Sequence, residues 1–170
     1  LGGTWGMGAR TAAGHVLAFG IADLIPGGLD FGETLDRIHA DDGIAVGPHP
    51  FQKTRHGVAA NVSEEALASA DAIEAYNSRL FTGRANRRAE RFALRNGLPT
   101  TAGSDAHISE MVGQAVTEVD VDERDASAIL RAVADGRTSV VGQRTPWRVS
   151  LRQFAGGAKR RALRTIADLR

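Results

Sequence analysis

Apolar positions along the chain fall into short blocks whose spacing alternates between that of a strand and that of a helix. His15–Ile21 (HVLAFGI) is a compact apolar run of strand length, followed by the turn-forming Pro26-Gly27-Gly28. Asp30 and Glu33 resemble a helix-opening capping pair, and Phe31, Leu35 and Ile38 then recur at helical spacing until Gly43 stops the run. Ile44–Gly47 predicts the next strand. Asn61, Ser63 and Glu64 open a short helix through Ala70, and Ala72–Tyr76 (AIEAY) predicts a strand. A helix over roughly Arg84–Asn96 stops at Gly97, and Leu98–Gly103 leads into a strand end. Ala115–Val119 reads as a strand, and a helix over Asp125–Asp135, ended by Gly136, precedes the strand Thr138–Val141. The order is repeatedly βα. That predicts an α/β protein with a parallel sheet, open or closed into a barrel, and functional loops at the carboxyl ends of its strands.

Composition narrows this picture. The chain of 170 residues suits one domain or a piece of a larger one, and its 42% apolar and 24% charged residues are those of a folded protein. No run approaches the roughly 20 apolar residues that span a bilayer. Cysteine is absent, which excludes disulfides, thiolate zinc sites and a cysteine nucleophile; any metal must be held by histidine and carboxylate. A reducing compartment is allowed, and we expect a cytoplasmic protein. The chain starts at Leu1 without methionine or a secretory leader pattern, so we expect a fragment.

The net charge of +1 hides a split. Residues 1–144 carry 14 basic and 19 acidic side chains, whereas 145–170 carry 7 and 1. We therefore divide the chain into a domain over 1–144 and a basic tail over 145–170. In the tail, Leu151, Ala155, Ala158, Ala162, Ile166 and Leu169 form an apolar stripe flanked by Arg152, Lys159, Arg160, Arg161 and Arg164. Such a tail suits packing on the body, or contact with phosphate, lipid, RNA or a protein partner.

Among residues able to do chemistry, the strongest local pattern is Gly103-Ser104-Asp105-Ala106-His107. Alternate residues of an extended backbone point to one side, so Asp105 and His107 can converge on a divalent ion. Taken alone, D-x-H also describes a turn aspartate beside an ordinary loop histidine. His49 lies in Pro48-His49-Pro50-Phe51 at the end of the strand Ile44–Gly47, its backbone confined by the two prolines to extended or turn conformations. Glu74 sits inside an apolar strand, where an ionised carboxylate is costly unless a cation or donor meets it. His15 heads its strand and His39 ends a charged helix, the latter read as surface. Lys53, Arg55 and His56 form a polar loop that is either a phosphate clamp or a solvated basic segment. The glycine pairs at 2–3 and 27–28 lack the lysine and hydroxyl residue of a phosphate loop.

Taken together, GHVLAFGI at 14–21, GIAVGPHPF at 43–51, AIEAYNSR at 72–79, NGLPTTAGSDAH at 96–107 and VGQAVTEV at 112–119 resemble, in order, the PHP (polymerase and histidinol phosphatase) family over roughly residues 14–142. The resemblance implies a distorted βα barrel of about seven units, incomplete here with its N-terminal strands missing, and a multinuclear phosphoesterase site at the carboxyl ends of the strands. It implies His49, Asp105 and His107 as metal ligands and catalytic residues, Glu74 as ligand or support, and His15 and Asn77 behind them. Arg55 or His56 would bind the nonbridging phosphate oxygens. The ions would be divalent (Mn, Zn, Mg or Fe), activating water against a phosphorylated small molecule, a nucleotide or an RNA end.

Two features depart from the family. Its opening H-x-H segment and middle histidine ligand are absent from the chain, and the metal-bridging glutamate usually found seven residues before the histidine matching His15 is here Gly8. These departures predict an impaired phosphoesterase, or alternatively a noncatalytic PHP-like module that binds RNA or a protein partner.

Overall fold

The computed structural model describes residues 5–52, 57–79, 83–144 and 146. Its elements in chain order are β1 (Trp5–Arg10), β2 (His15–Ile21), α1 (Phe31–Ala40), β3 (Ile44–Gly47), α2 (Glu64–Leu67), β4 (Ala72–Asn77), α3 (Arg84–Asn96), β5 (Thr100–Gly103), β6 (Ala115–Val119), α4 (Ala126–Ala134) and β7 (Thr138–Gly142). The helix starts follow from their caps. Asp30, Ser63 and Asp125 each accept a backbone N–H of the first turn, from Gly32, Ala66 and Ala128 respectively. Glu33 does not return to its cap; it pairs with Arg37 one turn on, at 3.0 Å. Gly97 ends α3 in the left-handed conformation, φ 64°.

The sheet is mixed rather than parallel. Five strands run in the order β1-β2-β3-β4-β5; β1, β2 and β3 pair antiparallel, and only β3, β4 and β5 pair parallel. Strand β1 is unanticipated by its glycine-rich sequence. It forms because the turn at Thr11–Gly14 returns the chain at once: Thr11 Oγ1 accepts the N–H groups of Ala13 and Gly14 and donates to Gly14 O. Glycine is required at position 6, where a Cβ would lie 2.6 Å from the Phe19 ring. Helix α2 stops at Leu67, short of the expected Ala70, because Asp71 must reach β3, accepting the Ala45 N–H at 2.6 Å and setting the start of β4.

Barrel closure is not seen among the described residues. Strands β6 and β7 form a separate antiparallel pair, tied to β5 through side chains. Thr117 Oγ1 accepts the Ala102 N–H and donates to Ala102 O, and Thr138 Oγ1 donates to Thr100 O. Both sheet faces are covered, which is why β3 is buried along its whole length. On one face Val16, Ala18 and Ile73 pack with Phe31, Leu35, Ile38 and Phe92 from α1 and α3; on the other, Ile44, Val46 and Ala72 pack with Val133 of α4. No helix among the described residues is long and apolar enough to cross a membrane. The basic tail lies outside the described residues, apart from Pro146.

Candidate metal centre

The carboxyl ends of the parallel strands β3, β4 and β5 face a cleft of about 450 Å³ whose lining includes Gly8, Arg10, His15, His49, Glu74, Asn77 and Asp105. His49 follows β3 by two residues, Asn77 ends β4, and Asp105 follows β5 by two. Gly8 and Arg10 come from β1 and stand opposite Leu17 and His15 of β2, so all five strands of the sheet contribute to one opening.

Two of the candidate residues are held in an unfavourable backbone. His49 (φ 31°) and Asp105 (φ 46°) are, with Asp42, the non-glycine residues of positive φ among those described. At His49 the surroundings overrule the preference: its N–H donates to Glu74 Oε2 at 2.6 Å, its carbonyl accepts the Gln52 N–H at 3.0 Å, and Pro48 and Pro50 are buried on either side. His15 packs edge-on against it, ring centroids 6.0 Å apart. His39 is at the surface, its Nε2 2.9 Å from Asp71 Oδ2.

Glu74 and Asn77 are three residues apart, which in a regular strand would put them on opposite faces. A bulge between Glu74 and Tyr76 shifts the register, and both side chains line the cleft. Asn77 Nδ2 donates to Glu74 Oε2 at 3.1 Å. Glu74 is only 6% exposed, and burial raises its pKa from 4.5 to about 7; the hydrogen bonds from Asn77 and the His49 N–H oppose that shift, and the charge of Asp105 adds to it. A Cβ at Gly103 would collide with Glu74 Oε1, so glycine at the end of β5 makes room for the carboxylate.

Asp105 and His107 come together, but not as alternate residues of a strand. Strand β5 ends at Gly103, and the left-handed turn at Asp105 brings His107 Nδ1 to 2.9 Å from Asp105 O and 3.6 Å from Asp105 Oδ1. A carbonyl only accepts, so Nδ1 carries a hydrogen. His107 is half exposed and does not line the cleft. The group lying between it and Asp105 is Arg79, whose Nη1 is 3.1 Å from Asp105 Oδ2 and 3.1 and 3.2 Å from the two ring nitrogens of His107.

Arg79 is not singled out by its sequence context, although it closes the segment AIEAYNSR two residues after Asn77. The same holds for Asn86 of α3, which accepts the Asn77 N–H and donates to Asn77 O, while Asn77 Oδ1 accepts the Arg79 N–H. No local pattern marks Asn86; only the packing of α3 beside β4 brings it there. Arg55 and His56 lie outside the described residues. By type, the imidazoles and carboxylates suit a divalent ion. By arrangement they do not fit one: no three His, Asp or Glu side chains among the described residues converge as a metal-binding group, and the cation at the D-x-H pair is a guanidinium.

The PHP-associated family matches residues 83–138. The uncharacterized protein MJ0417 of Methanocaldococcus jannaschii is 33% identical over 109 residues, which are 62% of this chain and 46% of that one. Among solved structures, PsfC from Pseudomonas syringae superposes with a TM-score of 0.63 at 20% identity, over 81% of this chain and 58% of PsfC. A two-domain protein of Bacteroides vulgatus, described as containing a predicted PHP-like metal-dependent phosphoesterase, gives the same TM-score at 19% identity, over 81% of this chain and 43% of that one. The chain thus spans about half the length of the proteins it matches. The ordered motifs, the match over residues 83–138 and the shared fold make this chain similar to the carboxyl-terminal portion of a PHP-type domain.

Proposed function

We propose that the chain is part of a metal-dependent phosphoesterase that hydrolyses phosphate esters, with nucleotides or RNA ends as the substrate class, and that the 170 residues alone retain little of that activity. The observation that carries this reading is the cleft at the carboxyl ends of β3, β4 and β5, where His15, His49, Glu74, Asn77 and Asp105 meet. His49, Glu74, Asp105 and His107 are the ligands proposed for the ions. Arg55 and His56, with Arg10 at the cleft wall, are proposed to meet the phosphate.

Hydrolysis of a chromogenic phosphodiester and of nucleotide monophosphates tests this, with manganese, magnesium or zinc added and the upstream coding sequence restored. Metal-dependent turnover abolished by Asp105→Ala is expected, with little turnover from the 170 residues alone. Absence of turnover in the longer protein would overturn the reading. It would favour a noncatalytic module binding RNA or a protein partner, which Gly8 and the Arg79 contact also suit.

Gly8 offers a second check. It lines the cleft, and a Cβ there would have Leu17 Cδ2 as its nearest neighbour, at 4.0 Å, so a longer side chain has room. Gly8→Glu is therefore expected to strengthen manganese binding by about tenfold in calorimetric titration, the gain of one carboxylate ligand. Affinity in either form should fall as pH drops below neutral, because imidazole and carboxylate coordinate only when deprotonated.

A further inference from the structure

The Asp105–His107 pair already holds a cation, and it comes from the chain itself. We propose that Arg79 is the resident cation of this pair and excludes a divalent ion from it, so that metal enters only when the guanidinium is displaced.

Three observations carry this. First, Arg79 Nη1 is 3.1 Å from Asp105 Oδ2 with the two side chains only 13% and 19% exposed, so the ion pair is largely shielded from water and ordinary salt screening. Second, the near-equal distances from one Nη1 to both ring nitrogens of His107 put the guanidinium over the ring face. An in-plane approach at those distances would drive Nη1 into the ring carbon between the nitrogens. The Nδ1 contact with Asp105 O is the kind of support that orients a ligating imidazole. Third, the Arg79 backbone is anchored: its backbone N–H donates to Asn77 Oδ1, and Asn86 accepts the Asn77 N–H and donates to the Asn77 carbonyl.

By type the pair offers a carboxylate and an imidazole suited to a divalent ion, with a positive charge already against the carboxylate. Two cations sharing one carboxylate repel each other. Metal and guanidinium are then competitors, and each weakens the other by the same factor. This holds whether or not the protein hydrolyses anything, so its test uses binding alone.

Manganese titrated by calorimetry into the wild type and into Arg79→Met and Arg79→Gln is the experiment. Both variants are expected to bind at least about tenfold more tightly. Arg79→Lys, which keeps the charge, should stay near the wild type, and the double variant Arg79→Met with Asp105→Asn should lose the gain. Thermal melting gives an independent readout: loss of the Arg79–Asp105 ion pair costs the fold stability, so Arg79→Met should melt lower than wild type without metal and recover more with manganese. Binding by Arg79→Met and Arg79→Gln no tighter than wild type, or a gain that persists without the Asp105 charge, would overturn the proposal. So would equal gains from the lysine and methionine variants.

Discussion

Glu74→Gln is expected to stabilise the metal-free protein near pH 8 by about 3 kcal/mol, an unusual sign for a change at a buried polar residue. The carboxyl is raised from 4.5 to about 7, so the folded state holds its proton more tightly than the unfolded chain does. Stability from this group is complete below pH 4.5, falls as pH rises, and is lost once pH passes about 7, where folding has to bury the charge. Glutamine cannot ionise. Its amide oxygen can still accept from the His49 N–H and from Asn77 Nδ2, the bonds Glu74 Oε2 makes now. Urea denaturation of both forms between pH 4.5 and about 8.5 measures the effect: the wild type should lose stability across this window while the variant stays nearly level, apart from changes shared by both. Parallel curves would mean that Glu74 is not charged at a cost in the folded protein. The same substitution should weaken manganese binding, since the amide removes a negative ligand; a charge costly to the empty site is useful to the loaded one.

Phe92→Ala is expected to cost about 3–5 kcal/mol, because the burial of a whole ring is lost and a cavity is left behind. Phe92 is fully buried where α3 packs on the sheet, its ring 5.6 Å from that of Phe51 and nearly edge-on. Arg88, one turn before it, lies 4.5 Å over the other ring. Since Phe51 directly follows Pro50, the cavity should also loosen the His49 turn. Chemical denaturation measures the first effect, and the His49 ring resonances, observed by NMR, should broaden or shift with the second. A loss under about 1 kcal/mol would mean that α3 closes over the gap.

Local chemistry decided much of this protein before any packing. Asp30, Ser63 and Asp125 start helices because their side chains satisfy the first free N–H groups, and Gly97 ends one because it alone takes a left-handed φ at no cost. His15–Ile21, Ile44–Gly47 and Ala115–Val119 are strands as their apolar runs predict. Prolines around His49 and glycine at 103 likewise announce a constrained site. Pairing direction is different, because it depends on which strands meet. Gly6 and Gly8 give β1 little strand preference, and its existence rests on the Thr11–Gly14 turn and a partner to pair with. Three antiparallel pairings, β1 with β2, β2 with β3 and β6 with β7, break the expected parallel order. The bulge that turns Glu74 and Asn77 to one side is equally invisible to a period-two pattern. Arg79 shows the limit most clearly: in sequence it is one arginine among many, 26 residues before Asp105. Only the folded chain makes it that residue's counterion, because β4 and β5 lie side by side and end together.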